Sequence, residues 1–354
     1  MNYKPELLAP AGNSECLKAA ILGGADAIYL AGKRFGARAF ADNFNEEMLW
    51  WARRVTKAHN KKLYITLNTL VFDYEWQLLE DALDFYEALQ PDSLIIQDLG
   101  IAAELKRRNS KIPLHLSTQG AWFGQGGEEL LKNLGITRII LPRETTKEEI
   151  SQIVKDYQFE IETFVHGAMC YSISGRCYWS AALGTRSGNR GTCAQPCRKE
   201  YYSKNNIKGF LFSPKDLRLI EKVQELSKIG VKSLKIEGRM KSAEYVYRVV
   251  SEYRKALDNE TTNKTSLSEV FSRANSIGFF DGIPNTDKWK TGDTSGREGV
   301  TVAITTGRKQ NGLIEVKLKL PINPGDGLVW THSGTQKGGK VTWLKTDKQN
   351  IHLV

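Results

Sequence analysis

The chain has 354 residues, of which 41% are hydrophobic and 25% charged, and its formal net charge at pH 7 is +10. No run of 18 apolar residues occurs, which excludes a membrane-spanning helix. The basic balance, with a pI near 9.2, favours polyanionic partners such as nucleic acid, although a lysine-rich solvated surface would give the same charge.

The chain begins without the apolar core segment of a signal peptide and leads directly into a strand pattern. We therefore expect a cytoplasmic protein without a membrane partner. In that compartment thiols stay reduced, and clustered cysteines more often bind metal or react than form disulfides. The oligomeric state is left open by the sequence.

Short apolar strands alternate with amphipathic helices through the first two-thirds of the chain. The eight predicted strands are 7–9, 27–30, 63–67, 94–96, 114–116, 138–141, 159–165 and 233–236. Eight strand–helix units predict a closed (β/α)8 TIM-like barrel. A doubly wound open sheet is the alternative, but the turn at 10–13 lacks the three-glycine dinucleotide motif.

The periodic pattern also predicts how the chain is divided. Residues 1–258 are predicted as the barrel, with a cysteine-containing insertion at 167–210, and residues 259–298 as a linker and helix. From 299 to 354, alternating strands separated by glycine-rich turns predict a small all-β barrel or sandwich module.

Residues directly after barrel strands lie at the rim where such barrels carry their chemistry. This rule nominates a set of polar side chains: Asn68, Gln97, Asp98, Thr118, Gln119, Arg143, His166, Glu237 and Arg239. The cysteine-containing insertion follows the seventh strand, so we expect it to cover the barrel mouth.

Four of the five cysteines, Cys170, Cys177, Cys193 and Cys197, lie within 28 residues. Zinc sites usually have two tight pairs, and here only the last two cysteines form one. An iron–sulfur cluster accepts looser spacing because each of its irons takes one thiolate. The spacing therefore favours an iron–sulfur cluster, with zinc and four unrelated cysteines as alternatives. Cys16 is predicted as a core residue of the first helix.

Several motifs together resemble peptidase family U32. The run Glu162 to Cys170 (ETFVHGAMC) and Gly175 to Ser180 (GRCYWS) match its signature, except that Trp179 stands where an aliphatic residue is usual. The resemblance extends to Glu6–Gly12, Tyr29–Gly32 with Phe35 and Ala37–Arg38, Ser213–Leu217 and Ser233–Arg239, and so spans most of the first 250 residues.

This resemblance implies two kinds of activity. The family has a collagenase-like protease label, whereas several members are oxygen-independent hydroxylases with a 4Fe–4S cluster on four cysteines. Their branches hydroxylate the wobble uridine of tRNA with prephenate as the oxygen source, a ribosomal RNA cytidine, or ubiquinone precursors. The C-terminal β module makes the chain similar to the tRNA branch. The resemblance implies Cys170, Cys177, Cys193 and Cys197 as cluster ligands, and Cys197 is the only local candidate for the fourth.

If the chain is such a hydroxylase, its rim must bind a small dicarboxylate and an extruded base. Arg143 and Arg239 are predicted to bind the carboxylates as planar forks. An ordinary salt bridge, of Arg143 with Glu144 or of Arg239 with Glu237, is the alternative. Proton transfer is assigned to Glu237, Asp98 and His166, and hydrogen bonds to the base edge to Gln119 and Asn68. His166 also fits a purely structural role.

A basic approach for RNA phosphates is predicted at Lys33, Arg34, Arg38, Arg186, Arg190 and Arg198. The aromatic residues Tyr171, Tyr178 and Trp179 suit either base stacking or packing within the cysteine segment.

Two other classes of function remain open. A peptidase could assemble a nucleophile and base from Cys170 and His166, but that pair leaves three cysteines unexplained. Neither a zinc-protease motif nor a serine nucleophile elbow is present. A non-catalytic RNA-binding scaffold is the third class, and it predicts no bound iron.

Overall fold

The computed structural model describes residues 4–203, 208–270, 273–292, 300–310, 313–332, 335–342, 345–346 and 351–353. The chain divides into two compact units, residues 1–297 and 298–354. Among the described helices, none combines the length and apolarity that a bilayer crossing requires.

The strands of the first unit, in chain order, are β1 (Glu6–Pro10), β2 (Ala27–Leu30), β3 (Lys62–Leu67), β4 (Ser93–Ile96), β5 (Leu114–Leu116), β6 (Ile136–Ile140), β7 (Glu160–Gly167), β8 (Tyr201–Tyr202), β9 (Lys208–Pro214), β10 (Asp216–Arg218), β11 (Ser233–Ile236), β12 (Asn275–Ser276) and β13 (Lys290–Gly292). Strands β1 to β7 pair in parallel in chain order, and β11 pairs in parallel with both β7 and β1. These eight strands form a closed barrel, which confirms the predicted (β/α)8 fold.

The helices are α1 (Ser14–Leu22), α2 (Glu46–Ala58), α3 (Trp76–Leu89), α4 (Leu99–Arg107), α5 (Glu128–Asn133), α6 (Lys147–Asp156), α7 (Trp179–Ala182), α8 (Val223–Ile229), α9 (Ala243–Leu257), α10 (Lys264–Glu269) and α11 (Thr286–Trp289). The side chains of Asn45 and Thr146 cap α2 and α6 by accepting backbone N–H bonds, as their positions before acidic residues indicate. Cys16 is buried in α1 within the hydrophobic core.

The interior of the barrel carries charged side chains on neighbouring strands. Arg138 donates to Glu6 (2.6 Å) and to Glu162 (3.1 Å), and Lys235 donates to the second oxygen of Glu162 (2.9 Å). The side chains of Arg138, Glu162 and Lys235 are at most 5% exposed. Buried charges need partners, so the alternation of acids and bases on successive strands stabilises the barrel axis.

The segment after β7 returns to the barrel at β10, which pairs antiparallel with β7. Strand β12 then pairs with β10, and β13 pairs with β9. Residues 264–292, predicted as linker and helix, thus hydrogen-bond to strands of the first unit. Residues 293–299 lie outside the described part of the chain.

The second unit contains antiparallel strands: β14 (Ala303–Gln310), β15 (Leu313–Leu318), β16 (Gly327–His332), β17 (Thr335–Lys340), β18 (Lys345–Thr346) and β19 (Ile351–Leu353). Strands β14, β15, β19 and β18 form one sheet, and β16 and β17 form a hairpin. The predicted all-β character of this region is confirmed.

Candidate active site at the barrel mouth

Glu237, directly after β11, lies between two arginines at the mouth of the barrel. Arg143 donates to one carboxylate oxygen (3.0 Å), and Arg38 donates to the other (3.3 Å). The guanidinium of Arg143 also lies over the ring of Phe164, 3.7 Å from its centroid. The structure therefore joins Arg143 to Glu237, and not to Glu144, whose carboxylate instead accepts bonds from Ser174.

The charge around Glu237 is predominantly positive. Burial raises the pKa of this carboxyl, but the nearby Arg38, Arg143 and Arg239 outweigh that effect and the pKa is lowered overall. Glu237 is therefore ionised at neutral pH, and three guanidinium groups surround one carboxylate. The mouth keeps an excess of positive charge that would attract an anion.

Arg239 is buried and has no salt bridge with Glu237. It donates to the hydroxyl of Thr66 (2.9 Å) and to the side-chain oxygen of Asn43 (2.6 Å). Burial lowers the pKa of Arg239 to about 10, which still leaves it charged at neutral pH. Its Nε has no protein hydrogen-bond partner in the described residues.

The other predicted rim residues take different positions. Asn68 accepts a bond from the Ala37 N–H (3.0 Å) and donates to Ser117. Asp98 caps α4 by accepting from the Gly100 N–H (2.8 Å), and its other oxygen accepts from Val71 (3.0 Å). Asp98 thus holds two loops in place and makes no contact with Glu237.

Gln97 and Gln119 form a second pair at the rim. The side-chain nitrogen of Gln97 donates to the backbone oxygen of Gln119 (3.2 Å). The side-chain oxygen of Gln97 is buried without a protein partner in the described chain, as is the hydroxyl of Thr118. These groups offer an unused acceptor and hydroxyl beside the mouth.

His166 does not join the Glu237 cluster. Its Nδ1 lies 3.3 Å from the hydroxyl of Tyr253, and its ring packs edge-on against the Tyr253 ring, so it faces α9. The register between β7 and β11 shifts here, because Phe164 and His166 oppose consecutive residues of β11 and Val165 is extra. Such a bulge redirects the following side chain. Burial lowers the pKa of His166 to about 3, so the ring is neutral at physiological pH.

The cysteine segment rests on the rim at two close backbone contacts. Gly175 (φ +74°) lies so near the barrel that a Cβ there would be 2.0 Å from the Gln119 carbonyl oxygen. Gly191 (φ +80°) would place a Cβ 2.5 Å from the oxygen of Gly36, and its own oxygen accepts from the Ala39 N–H (3.1 Å). Only glycine permits both the backbone conformation and the approach.

The four cysteines of this segment are free thiols near the mouth. Cys170 and Cys193 reach solvent, whereas Cys177 and Cys197 are partly buried. Desolvation raises the pKa of Cys197 to about 11, with further contributions from the other three thiols, so all four are within electrostatic range. Desolvation also raises the pKa of Cys170 more than the neighbouring Arg143 lowers it.

Two groups point at the sulfur of Cys193. The Gln195 N–H donates to it (3.3 Å), and so does the Ser180 hydroxyl (3.8 Å). Hydrogen bonds of this kind are typical around the thiolates of iron–sulfur proteins. In the described residues no three His, Cys, Asp or Glu side chains are arranged to hold a single metal ion. The donor set, four thiols on one loop, fits a cluster with one thiolate per iron better than it fits one zinc ion.

The predicted basic approach separates into three groups. Lys33, Arg34 and Arg186 are exposed, and Arg190 is partly exposed and paired with Glu75. Arg38 instead lies in the mouth with Glu237, as described above. The remaining arginine of the prediction, Arg198, is buried.

Arg198 belongs to the interior of the cysteine segment. It donates to the hydroxyl of Ser213 (2.9 Å) and to the backbone oxygens of Pro214 and Met169, and burial lowers its pKa to about 10. A guanidinium with these partners connects the cysteine segment to β9 and the end of β7, and it is not accessible to an RNA phosphate.

The aromatic residues of the cysteine segment mostly pack together. Tyr171 stacks on Trp289 (5.6 Å between centroids), and Trp179 packs edge-on against Phe212 (5.1 Å). Packing therefore accounts for Tyr171 and Trp179, whereas Tyr178 is 65% exposed.

Comparison with known proteins places this architecture in a family. The model of peptidase family U32 matches residues 12–290. The chain belongs to peptidase family U32.

The most similar relatives of this U32 chain have different names. tRNA hydroxylation protein P1 of Bacillus subtilis (strain 168) is 38% identical over 312 residues, which is 82% of this chain and 74% of the relative. The 23S rRNA 5-hydroxycytidine C2501 synthase of Escherichia coli (strain K12) is 36% identical over 81% of this chain and 44% of its own length. A protein named collagenase from Porphyromonas gingivalis is 32% identical over 78% of this chain and 72% of its own.

Sequence reasoning missed some of the residues that shape this U32 site. Arg38 was assigned to RNA phosphates, and Lys235 and Glu162 were not singled out. The signal was available for the last two, because a charged residue at an inward position of an apolar strand must find a partner inside the barrel. The contact of Arg38 with Glu237 joins residues 199 positions apart, and no local pattern announces it.

Proposed function

We propose that this protein is an RNA-modifying enzyme that hydroxylates the wobble uridine of tRNA without molecular oxygen. Prephenate is the proposed hydroxyl donor, and a 4Fe–4S cluster is the proposed cofactor, held by Cys170, Cys177, Cys193 and Cys197. The observation that carries the proposal is the position of four free thiols beside the arginine-flanked Glu237.

The relatives support the RNA part of the proposal. Two of them have names that denote RNA hydroxylation, one on tRNA and one on a ribosomal cytidine. Both substrates are pyrimidine nucleotides in RNA. The tRNA version is favoured because the tRNA relative matches 74% of its own length, whereas the rRNA relative matches 44%.

The charge of the mouth supports a small dicarboxylate as co-substrate. Arg38, Arg143 and Arg239 contribute three positive charges against the one negative charge of Glu237, which leaves an excess of two. A dianion would neutralise this excess. The unpaired Nε of Arg239 gives such a ligand a donor.

The unused polar groups of the rim support recognition of a base. The buried oxygen of Gln97 can accept from an N–H, and the hydroxyl of Thr118 can donate to a carbonyl. A uracil edge carries both kinds of group. Bases of an anticodon loop are already unpaired, so bringing one to the rim costs little.

The cysteine ligands would place redox chemistry next to these groups. A bound 4Fe–4S cluster supplies one-electron transfer at a potential that depends on hydrogen bonds to its sulfurs. The Gln195 N–H and the Ser180 hydroxyl would provide such bonds at Cys193. Glu237, ionised and hydrogen-bonded on both oxygens, is the candidate to accept a proton at the mouth.

A peptidase with a Cys170–His166 pair is less compatible with the structure. No hydrogen bond joins the two side chains, because the His166 ring contacts Tyr253 on α9. The pKa of the Cys170 thiol is raised, whereas a nucleophilic cysteine needs a lowered one. The name collagenase of one relative keeps this activity as the second candidate.

The direct test compares tRNA from cells with and without this protein by nucleoside mass spectrometry. We expect loss of the hydroxylated wobble uridine without the protein, and its return when the purified protein, tRNA and prephenate are combined anaerobically. Unchanged wobble uridines would contradict the tRNA assignment. Gelatin cleavage that survives Cys170→Ala would indicate a contaminating protease.

The cofactor is tested by iron and sulfide analysis of protein purified without oxygen. We expect a brown protein that contains iron and sulfide in equal amounts and loses both in Cys170→Ser. Cys16→Ser is the matched control, because Cys16 is buried in α1, and it should retain the iron. A colourless zinc protein would contradict the cluster.

Glu237→Gln removes the one negative charge between Arg38 and Arg143. We expect tRNA hydroxylation to fall by at least about 100-fold, the usual effect of losing a proton-transfer group, with unchanged iron content. Glu148→Gln, at an exposed position of α6, is the control. Full activity of Glu237→Gln would exclude a catalytic role for this carboxylate.

A further inference from the structure

An exposed group of aromatic and basic side chains lies next to the barrel mouth. Phe72 and Tyr74, in the loop after β3, are 49% and 80% exposed, and Phe40 in the loop after β2 is 59% exposed. Arg186 and Arg190 of the cysteine segment lie on these rings. We call these five residues the aromatic–basic surface. Large exposed aromatics are unusual on a protein without a binding partner for them.

The rings of this surface are already arranged for stacking. Phe72 and Tyr74 are nearly parallel, with 5.4 Å between centroids and 19° between planes. The guanidinium of Arg190 lies 4.6 Å from the Phe72 centroid, and that of Arg186 lies 4.7 Å from the Phe40 centroid. Flat π-faces beside guanidinium planes are the combination on which unpaired bases stack in single-stranded nucleic acid complexes.

A pocket of about 230 Å³ adjoins the surface. Its basic lining residues are Lys33, Arg34 and Arg190, and the polar side chains of Asn43 and Thr69 also line it. The volume is smaller than that of a typical drug-sized ligand site, and the cationic lining suits a phosphate group.

The acidic residues of these loops are mostly occupied. Glu75 is paired with Arg190 and accepts the Phe72 N–H (3.0 Å), and Asp42 accepts the side-chain amide of Asn13 (3.0 Å). Asp73 is exposed between the two aromatic residues. The unpaired positive charge of Arg34, together with Lys33 and Arg186, therefore faces a partner that is anionic rather than cationic.

The loop after β2 connects this surface to the candidate active site. Lys33 and Arg34 line the pocket, while Arg38, four residues later, bonds Glu237 in the mouth. In the same loop, the Ala39 N–H donates to Gly191 of the cysteine segment (3.1 Å). A strand that passes over the surface thus arrives at the mouth.

We propose that the aromatic–basic surface binds unpaired nucleotides of the RNA substrate that flank the modified base. Bases stack on Phe72 and Tyr74, and a backbone phosphate occupies the pocket beside Lys33 and Arg34. The inference rests on the proposed RNA function and adds where the RNA docks. Net charge and exposed π-faces favour single-stranded RNA over a protein partner.

The test measures binding of a fluorescent, unmodified anticodon stem–loop RNA to the full, cluster-containing protein by anisotropy. We expect Tyr74→Ala and Phe72→Ala each to weaken binding by about 5- to 150-fold, the range for loss of one stacked base. Tyr74→Trp should restore binding. Tyr247→Ala is the matched control, because Tyr247 is 47% exposed on α9, and its affinity should equal that of the wild type.

The phosphate contacts are tested by salt dependence. Lys33→Gln and Arg34→Gln should each reduce the slope of log affinity against log salt by about 0.7, the value for one phosphate of a single strand. Tyr74→Ala should weaken binding and leave this slope unchanged, since stacking releases no counterion.

The outcomes separate this inference from the proposed function. If the wild-type protein hydroxylates tRNA but Phe72→Ala and Tyr74→Ala bind RNA like Tyr247→Ala, the docking surface is overturned and the function stands. If the wild type neither binds nor modifies RNA, both are overturned. A change of oligomeric state in Tyr74→Ala by light scattering, with unchanged RNA affinity, would reassign the surface to protein contact and also overturn it.

Discussion

His166 ends the strand that leads into the cysteine segment, and one extra residue in that strand decides where its ring lies. Sequence position alone placed it at the rim, where a catalytic histidine belongs. Because Val165 is bulged out of register with β11, the ring faces α9 and its tyrosines. A bulge leaves no mark in a single sequence, so this orientation could not be predicted.

The buried imidazole makes stability depend on pH. The folded pKa of His166 is about 3 and the unfolded value about 6.5, so only the unfolded chain binds the proton between these values. The free energy of unfolding should therefore fall on acidification below about pH 6.5, by about 1.4 kcal/mol per pH unit for this group. His115, whose pKa burial also lowers, adds to the slope.

We expect His166→Gln to reduce that slope between about pH 5 and pH 6, a window above the titration of the carboxyl groups. Urea unfolding at several pH values measures it. His59→Gln, at an exposed position after α2, should keep the wild-type slope. An unchanged slope in His166→Gln would show that the ring is protonated in the folded state.

Arginine side chains show a second limit of sequence reasoning. Arg143 and Glu237 were both placed at the mouth from their positions after strands, and the structure brings them together. Arg198 was placed on the surface because its neighbours are polar, whereas its partners are backbone oxygens 16 and 29 residues away. Long-range partners decide burial, and they are not visible in local composition.

At the scale of elements, the strands were the most predictable part of the chain. All eight barrel strands lie where the short apolar runs predicted them, because parallel strands covered on both faces are continuously hydrophobic. The position of the cysteine segment over the mouth followed from strand order. Its internal shape did not, because it depends on close contacts such as that of Gly175 with the loop after β5.

Gly175→Ala tests that contact. A methyl group there would collide with the Gln119 carbonyl, in addition to a cost of about 1–2 kcal/mol for the left-handed backbone. We expect proteolysis of the cysteine segment to accelerate by at least about tenfold, since each 1.4 kcal/mol shifts the opening equilibrium tenfold. Gly126→Ala is the control, with φ +99° and no atom within 4 Å. Equal protection of both variants would show that the loop does not need this seat.

At the scale of the whole molecule, the barrel is stabilised by a column of paired charges as well as by its aliphatic core. Glu162 is fully buried and pairs with both Arg138 and Lys235. We expect Glu162→Gln to lower the free energy of unfolding by about 3–5 kcal/mol, because two buried cations lose their common partner. Urea denaturation measures this loss.

Glu128→Gln provides the matched control for that measurement. Its carboxylate pairs with Lys132 on the exposed face of α5, where water screens the charges, so little change is expected. If both variants were equally stable, the interior charges would have to be hydrated.

The division into two compact units leads to a further expectation. A chain that ends at Arg297 should fold, retain its iron and unfold with the transition of the first unit. Circular dichroism and iron analysis of this shortened chain measure it. Aggregation or loss of iron would show that the first unit depends on the second.

The charged column also determines how deep a substrate can go. Arg138, Glu162 and Lys235 fill the axis of the barrel, and the rings of Tyr29 and Phe164 lie against the Lys235 ammonium like a floor. Above this floor, the cysteine segment forms a ceiling. Reactants must therefore enter sideways and lie flat in a shallow slot, which favours thin, planar molecules such as a pyrimidine ring and a cyclic dicarboxylate over a folded peptide.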